Sequence, residues 1–269
     1  MLVDSSRHTI TTEWQNIKLT SRLTSTFYKR SRWLFIFVVL TRAISLLMQR
    51  LTVFIPLKII ILASYEAPPI WVVETIGLAN NKEVISTFII AFLFVYSLYL
   101  YLSALHQRLL SADSLSQFNR EDLIFDGNKI STAKMKKLYT RTVSITSDEL
   151  IIFLGLISIG LVSLPLMILT FLVLILFYFF TVKLSNFLNV DARPNITKKQ
   201  LVEYLASTAF VLLFLGLCVG VLELHLNVFI AVYVLVMGRT ILDASRRTMV
   251  AIPLVQGSIG NKSSSGAKI

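Results

Sequence analysis

Arg42, Arg50 and Lys58 interrupt one long apolar stretch of this chain, and Arg239, Asp243 and Arg247 follow another at intervals of four residues. A charge in a membrane-spanning helix costs a few kcal/mol unless it is paired, hydrated or able to snorkel, so each of these residues needs a physical reason. Arg42, Arg50 and Arg239 lining a hydrated cavity would attract an anionic group. Arg239, Asp243 and Arg247, at i, i+4 and i+8, have the spacing of an ion-pair ladder on one helix face. Long arginine side chains that snorkel, or pair with Asp243, would instead serve structure alone. The candidate substrate-binding set is therefore Arg42, Arg50, Arg239 and Asp243, with both readings open.

Other chemistry finds no residues to carry it. His8, His106 and His225 are scattered over a tail, a helix end and a loop, and no His/Cys cluster has metal-ligand spacing. No serine or cysteine occupies a nucleophile elbow. Gly257, Gly260, Lys262 and Ser263 have the wrong spacing for a phosphate loop and follow no strand, so no ATP site is assigned. The expectation is a non-enzyme without a cofactor. The single cysteine, Cys218, lies in an apolar stretch and reads as a small packed hydrophobe.

The elements that must position the charges are four apolar blocks, Trp33 to Ala63, Val84 to Leu105, Leu150 to Val182 and Tyr204 to Met237. Each exceeds the roughly 20 residues that a helix needs to cross a bilayer. The fold class is all-α, a polytopic helical membrane protein. Apolar residues make up 55% of the 269 and charged ones 15%, which excludes an ordinary soluble domain. The net charge of +11 sits mostly beside the apolar blocks, where basic flanks set membrane orientation, so the basic partner is the lipid bilayer and not nucleic acid.

Charge also counts the crossings. If Leu150 to Val182 crossed once, Lys183, Arg193, Lys198 and Lys199 would lie opposite Lys129, Lys134, Lys136, Lys137 and Arg141. A hairpin turning near Ser163, Leu164 and Pro165 keeps both groups on the cytoplasmic side. A second hairpin breaks at Glu223, His225 and Asn227. The sequence thus predicts six helices, at about 33–63, 84–110, 143–163, 165–185, 201–222 and 226–249, with both ends cytoplasmic, as in a bacterial inner membrane protein. Lys82 is then the lone basic residue of the outside loops, and Trp33 and Trp71 fall near the interfaces.

Three domains follow: a basic leader over 1–32, the six-helix domain over 33–249 and a flexible cytoplasmic tail over 250–269. Ile10, Trp14 and Ile17 allow the leader to be an amphipathic interfacial helix, and a disordered basic tail is the alternative. The connection 106–149 mixes Arg120, Glu121, Asp122 and Asp126 with a basic run. Those four are the candidate partner-docking residues, although a solvated helix end or a lipid-headgroup contact would have the same composition.

The pattern resembles the six-helix transmembrane domain of ABC exporters over roughly residues 10–250. The likeness is carried by the basic leader, by the Phe54, Ile55, Pro56, Leu57, Lys58 stretch near the outer end of a long first helix, and by the long excursion between helices two and three. Leu138, Tyr139, Thr140, Arg141, Thr142 and Val143 resemble the segment leading from a first coupling helix into the third helix. The Leu-Val-Ser-Leu-Pro-Leu turn at 161–166 is similar to the family's tight outer turn. The resemblance implies a membrane subunit that moves or accommodates an amphipathic or anionic substrate, as a homodimer or with a separate nucleotide-binding subunit docked on 106–149. Two departures stand against it. No nucleotide-binding domain follows the sixth helix in this sequence, and the connection between helices four and five lacks the length of the family's paired extension with its second coupling helix. The alternative is a non-transporting scaffold of a surface-polymer or secretion complex; an integral membrane enzyme acting on lipids ranks behind both, since no cluster of ionisable residues would serve it.

Overall fold

The computed structural model describes residues 18, 20–29, 31–64, 80–118, 124–125, 128–129, 131–187, 197–223 and 226–260. The helices are α1 (Arg32–Ala63), α2 (Asn81–Phe118), α3 (Thr132–Val162), α4 (Leu164–Phe187), α5 (Lys198–Glu223) and α6 (Val228–Gly260), preceded by a leader helix over 20–29. Between α2 and α3, β1 (Ile124–Phe125) and β2 (Asn128–Lys129) form a two-residue antiparallel pair. Among the described residues, all six numbered helices contain stretches long and apolar enough to cross a membrane. The backbone of such a stretch finds no hydrogen-bond partner in hydrocarbon except its own, and the helix satisfies it internally.

The chain therefore folds as an all-α, polytopic helical membrane protein. The Leu150 to Val182 block is a hairpin whose two helices are separated by Ser163 alone, in extended conformation, with its N–H donating to the Ile159 carbonyl at 2.8 Å. Pro165 follows at the start of α4, where a missing N–H costs nothing. The break between α5 and α6 falls after Glu223, as the polar residues there require.

Three boundaries differ from expectation. α2 runs to Phe118, α3 begins at Thr132 instead of about 143, and α6 continues to Gly260 instead of ending at 249, so the first part of the expected tail is helical. For α3 and α6 the cause is a continuing apolar period beyond the membrane blocks. Met135, Leu138 and Tyr139 on α3 and Val255 on α6 are fully or almost fully buried, and Leu23 and Phe27 of the leader helix close over them. Phe27 meets the Tyr139 ring edge-on at 5.2 Å. Lysines 134, 136 and 137 do not oppose this, being good helix formers on the exposed face.

α6 is the centre of the bundle. More than half of its most apolar stretch is buried, against none of that of α2. It packs along α3 and α5, while α1 and α2 form the other strongly paired hairpin. Close approach is set by two glycines: a Cβ on Gly155 of α3 would stand 2.9 Å from Ile241 Cγ1, and one on Gly238 of α6 would overlap Leu213 Cδ2 of α5. Large apolar side chains such as Phe94, Leu161, Phe179 and Leu222 face outward, as lipid-facing positions demand.

Candidate functional site

On α6, residues four apart lie one above another, so Arg239, Asp243 and Arg247 share one face. That face meets α1 and α3. Arg50 Nη2 donates to Asp243 Oδ2 at 2.7 Å, tying α1 to α6. Arg239 Nε stands 3.6 Å from Asp243 Oδ1, and its guanidinium lies 4.9 Å from the Phe210 ring centroid on α5. Arg50, Arg239 and Asp243 thus form one cluster. At 1.5 Å per residue, Arg239 is about 16 Å from the start of α6 and Arg50 about 20 Å from the end of α1, near the middle of a core roughly 30 Å thick.

The expected ladder does not extend to Arg247. Its Nε and Nη2 grip Asp148 of α3, with Nη2 to Oδ1 at 2.7 Å and Nε to both oxygens at 3.0 and 3.2 Å. A fork-shaped guanidinium gains more from a whole carboxylate than from a share of Asp243. Asp148 is 1% exposed, which makes this the most enclosed ion pair among the described residues. It was missed in the sequence because it stands at the edge of the polar connection 106–149. The available signal was its place in the stripe Ile145, Asp148, Ile151, Gly155, Ile159, all buried at three- and four-residue steps.

Arg42 joins neither carboxylate directly. Its Nη2 donates to Ser144 Oγ at 2.7 Å, within electrostatic reach of Asp148 and Arg247, and its Nε is buried without a hydrogen-bond partner. His106 Nδ1 lies 3.1 Å from the Val38 carbonyl one turn before Arg42. Lys58 rests against aromatic rings, 5.1 Å from Phe88 and 5.8 Å from Phe229. Most other intramembrane hydroxyls, including Thr142, Ser147, Thr170 and Ser245, bond the carbonyl four residues back and need no further partner.

Three helices therefore converge on four guanidinium groups, those of Arg42, Arg50, Arg239 and Arg247, and two carboxylates, those of Asp148 and Asp243. The carboxylates are 1% and 13% exposed, whereas Arg50 and Arg239 are 33% and 44% exposed. Within this cluster the two carboxylates are enclosed and Arg50 and Arg239 reach the bundle surface. The candidate docking residues Arg120, Glu121, Asp122 and Asp126 lie outside the described residues. Among the described residues no group of three or more His, Cys, Asp or Glu side chains is placed to hold a metal ion.

Fold and charges together define a multi-pass helical membrane protein with an intramembrane arginine cluster. Comparison with family models, curated proteins and solved structures finds no match for the chain.

Proposed function

We propose that the chain is a membrane subunit of ABC-exporter-like design that moves or accommodates an amphipathic or anionic substrate, with any ATPase supplied by another chain. The observation that carries this reading is the excess of positive charge in the cluster, where four guanidinium groups share two carboxylates and Arg239 remains substantially exposed. An anion entering beside Arg50 and Arg239 would offset part of this excess positive charge. The test is Arg42→Leu, Arg50→Leu and Arg239→Leu, each followed by protein abundance, detergent melting temperature and cellular phenotype. Among the described residues Arg239 makes only the 3.6 Å ion pair with Asp243 and the Phe210 ring contact, so Arg239→Leu should hold abundance while function falls. A wild-type phenotype in all three variants would remove the anionic site.

A second reading, the non-transporting scaffold, is favoured by a separate observation. At most residues 188–197 separate α4 from α5, which departs from the long paired extension of the exporter family. Arg50–Asp243 and Arg247–Asp148 also stitch α6 to two other helices, as a static frame would. Loss of abundance in Arg50→Leu with no change in Arg239→Leu supports this reading.

The proposed placement is a bacterial inner membrane with both ends of the chain in the cytoplasm, because basic residues flank one end of the helix bundle far more densely than the other. Single cysteines replacing Glu74, Phe125, Asn195, His225 and Lys262, in a background lacking Cys218, test it with an impermeant thiol reagent. Positions 74 and 225 should react from outside. Strong external labelling at 195 would invert the assignment.

A further inference from the structure

A cavity of about 710 Å³ opens between the leader helix, α1 and α3, apart from the arginine cluster. Its volume lies within the range of small-molecule sites. Its walls differ in chemistry. Ser21, Thr24 and Ser25 of the leader helix present a hydroxyl-rich side, and Phe35, Ile36 and Leu40 of α1 present an apolar one. α3 contributes Thr146 and Glu149.

Both α3 residues lack what their surroundings require. Thr146 Oγ1 is buried yet has no hydrogen-bond partner, although Thr142 and Ser147 beside it bond carbonyls of their own helix. Glu149 belongs to a membrane-spanning helix and is exposed where it lines the cavity; unlike its buried neighbour Asp148, it forms no ion pair among the described residues. A carboxylate at such a position needs a cation, water or protonation. The cavity supplies room for the first, with the hydroxyl-bearing Ser21, Thr24 and Ser25 in its walls and an apolar wall alongside.

We infer that this cavity binds an amphiphile bearing a primary ammonium group, the ammonium facing Glu149 and the hydrocarbon chain lying along Ile36 and Leu40. An alkyl ammonium ion has three N–H donors, as a lysine does, and stays protonated at neutral pH. It would match the Glu149 carboxylate, with the leader-helix hydroxyls available to its remaining N–H groups. An alcohol of the same length would bury the same chain but leave Glu149 unpaired, and a fatty acid would oppose it with like charge. This inference concerns binding alone and stands or falls separately from transport and from the arginine cluster.

The experiment is native mass spectrometry of the full chain released from detergent, with dodecylamine, dodecanol or dodecanoate added at equal concentration. Dodecylamine adducts should exceed dodecanol adducts at least tenfold, and dodecanoate adducts should be fewest. Glu149→Gln should remove the amine preference while leaving apolar binding, Glu149→Asp should retain it, and Leu40→Trp should reduce binding of all three. Circular dichroism and monodisperse elution establish that each variant is folded. Equal amine and alcohol binding, or an amine preference that survives Glu149→Gln, overturns the inference. If Glu149→Gln does not fold, the wild-type ranking and the Leu40→Trp variant decide it: a wild-type amine preference unaffected by filling the cavity places the amine elsewhere.

Discussion

Asp148→Asn is expected to destabilise the bundle more than any other single polar substitution. Removing the charge leaves Arg247 forked around a neutral amide in an enclosed site and also removes the nearest negative charge from Arg42. Breaking a buried ion pair from one side typically costs about 3–5 kcal/mol, because the surviving charge has lost its compensation. The cost belongs to the orphaned arginine, and the pair itself gains little over an apolar replacement. Asp148→Asn combined with Arg247→Gln should therefore recover most of the loss, since both charges then leave together. Melting in mild detergent, with protein abundance in cells, measures it. A double variant no more stable than Asp148→Asn alone would show that Arg247 is not what suffers.

The second large effect lies in the apolar core. Gly238→Leu places a branched side chain where even a methyl group would overlap Leu213 Cδ2, so α5 and α6 must separate or Leu213 must abandon its position. Overpacking a tight core costs roughly 1–3 kcal/mol for small insertions and more when backbone must move. Helix association in a membrane gains no hydrophobic drive against lipid and rests on this close packing. Gly238→Leu should sharply lower the melting temperature. Gly238→Ala should cost less, and combining it with Leu213→Ala should restore part of it; an additive double variant would mean that the two residues do not share that space.

Much of this architecture is legible in the sequence, and the reason is physical. Bilayer thickness converts apolar run length directly into crossing number, so a stretch of 33 residues with Ser163, Leu164 and Pro165 at its centre could only be a hairpin once its basic flanks were considered. Helix ends outside the membrane were less legible. There the apolar signal falls to a sparse stripe, such as Met135, Leu138 and Tyr139, diluted by lysines, and only the covering leader helix shows that the stripe is buried. For the charges, composition identified Arg42, Arg50, Arg239 and Asp243, because an isolated charge in an apolar run is conspicuous. It did not identify Asp148 as the partner of Arg247, because pairing between distant helices depends on their rotation and depth, which no single helix encodes. The same limit hid the cavity beside Glu149, whose walls come from three separate segments.

The sequence separation of the Arg50–Asp243 pair bears on how the protein is made. The two residues are 193 positions apart, so α1 leaves the ribosome with its arginine uncompensated long before its carboxylate exists. At translation rates of about 5–20 residues per second, the interval is roughly 10 to 40 s. During that time α1 holds a lone guanidinium near mid-bilayer, a state each newly made molecule must survive. Arg50 can reach for headgroups only by tilting or displacing the helix, and water or an insertion factor must otherwise solvate it. Biogenesis, rather than the finished bundle, is then the stage most exposed to the charge of α1, and a pulse-chase of Arg50→Leu should show faster acquisition of protease resistance even if the mature protein is less stable.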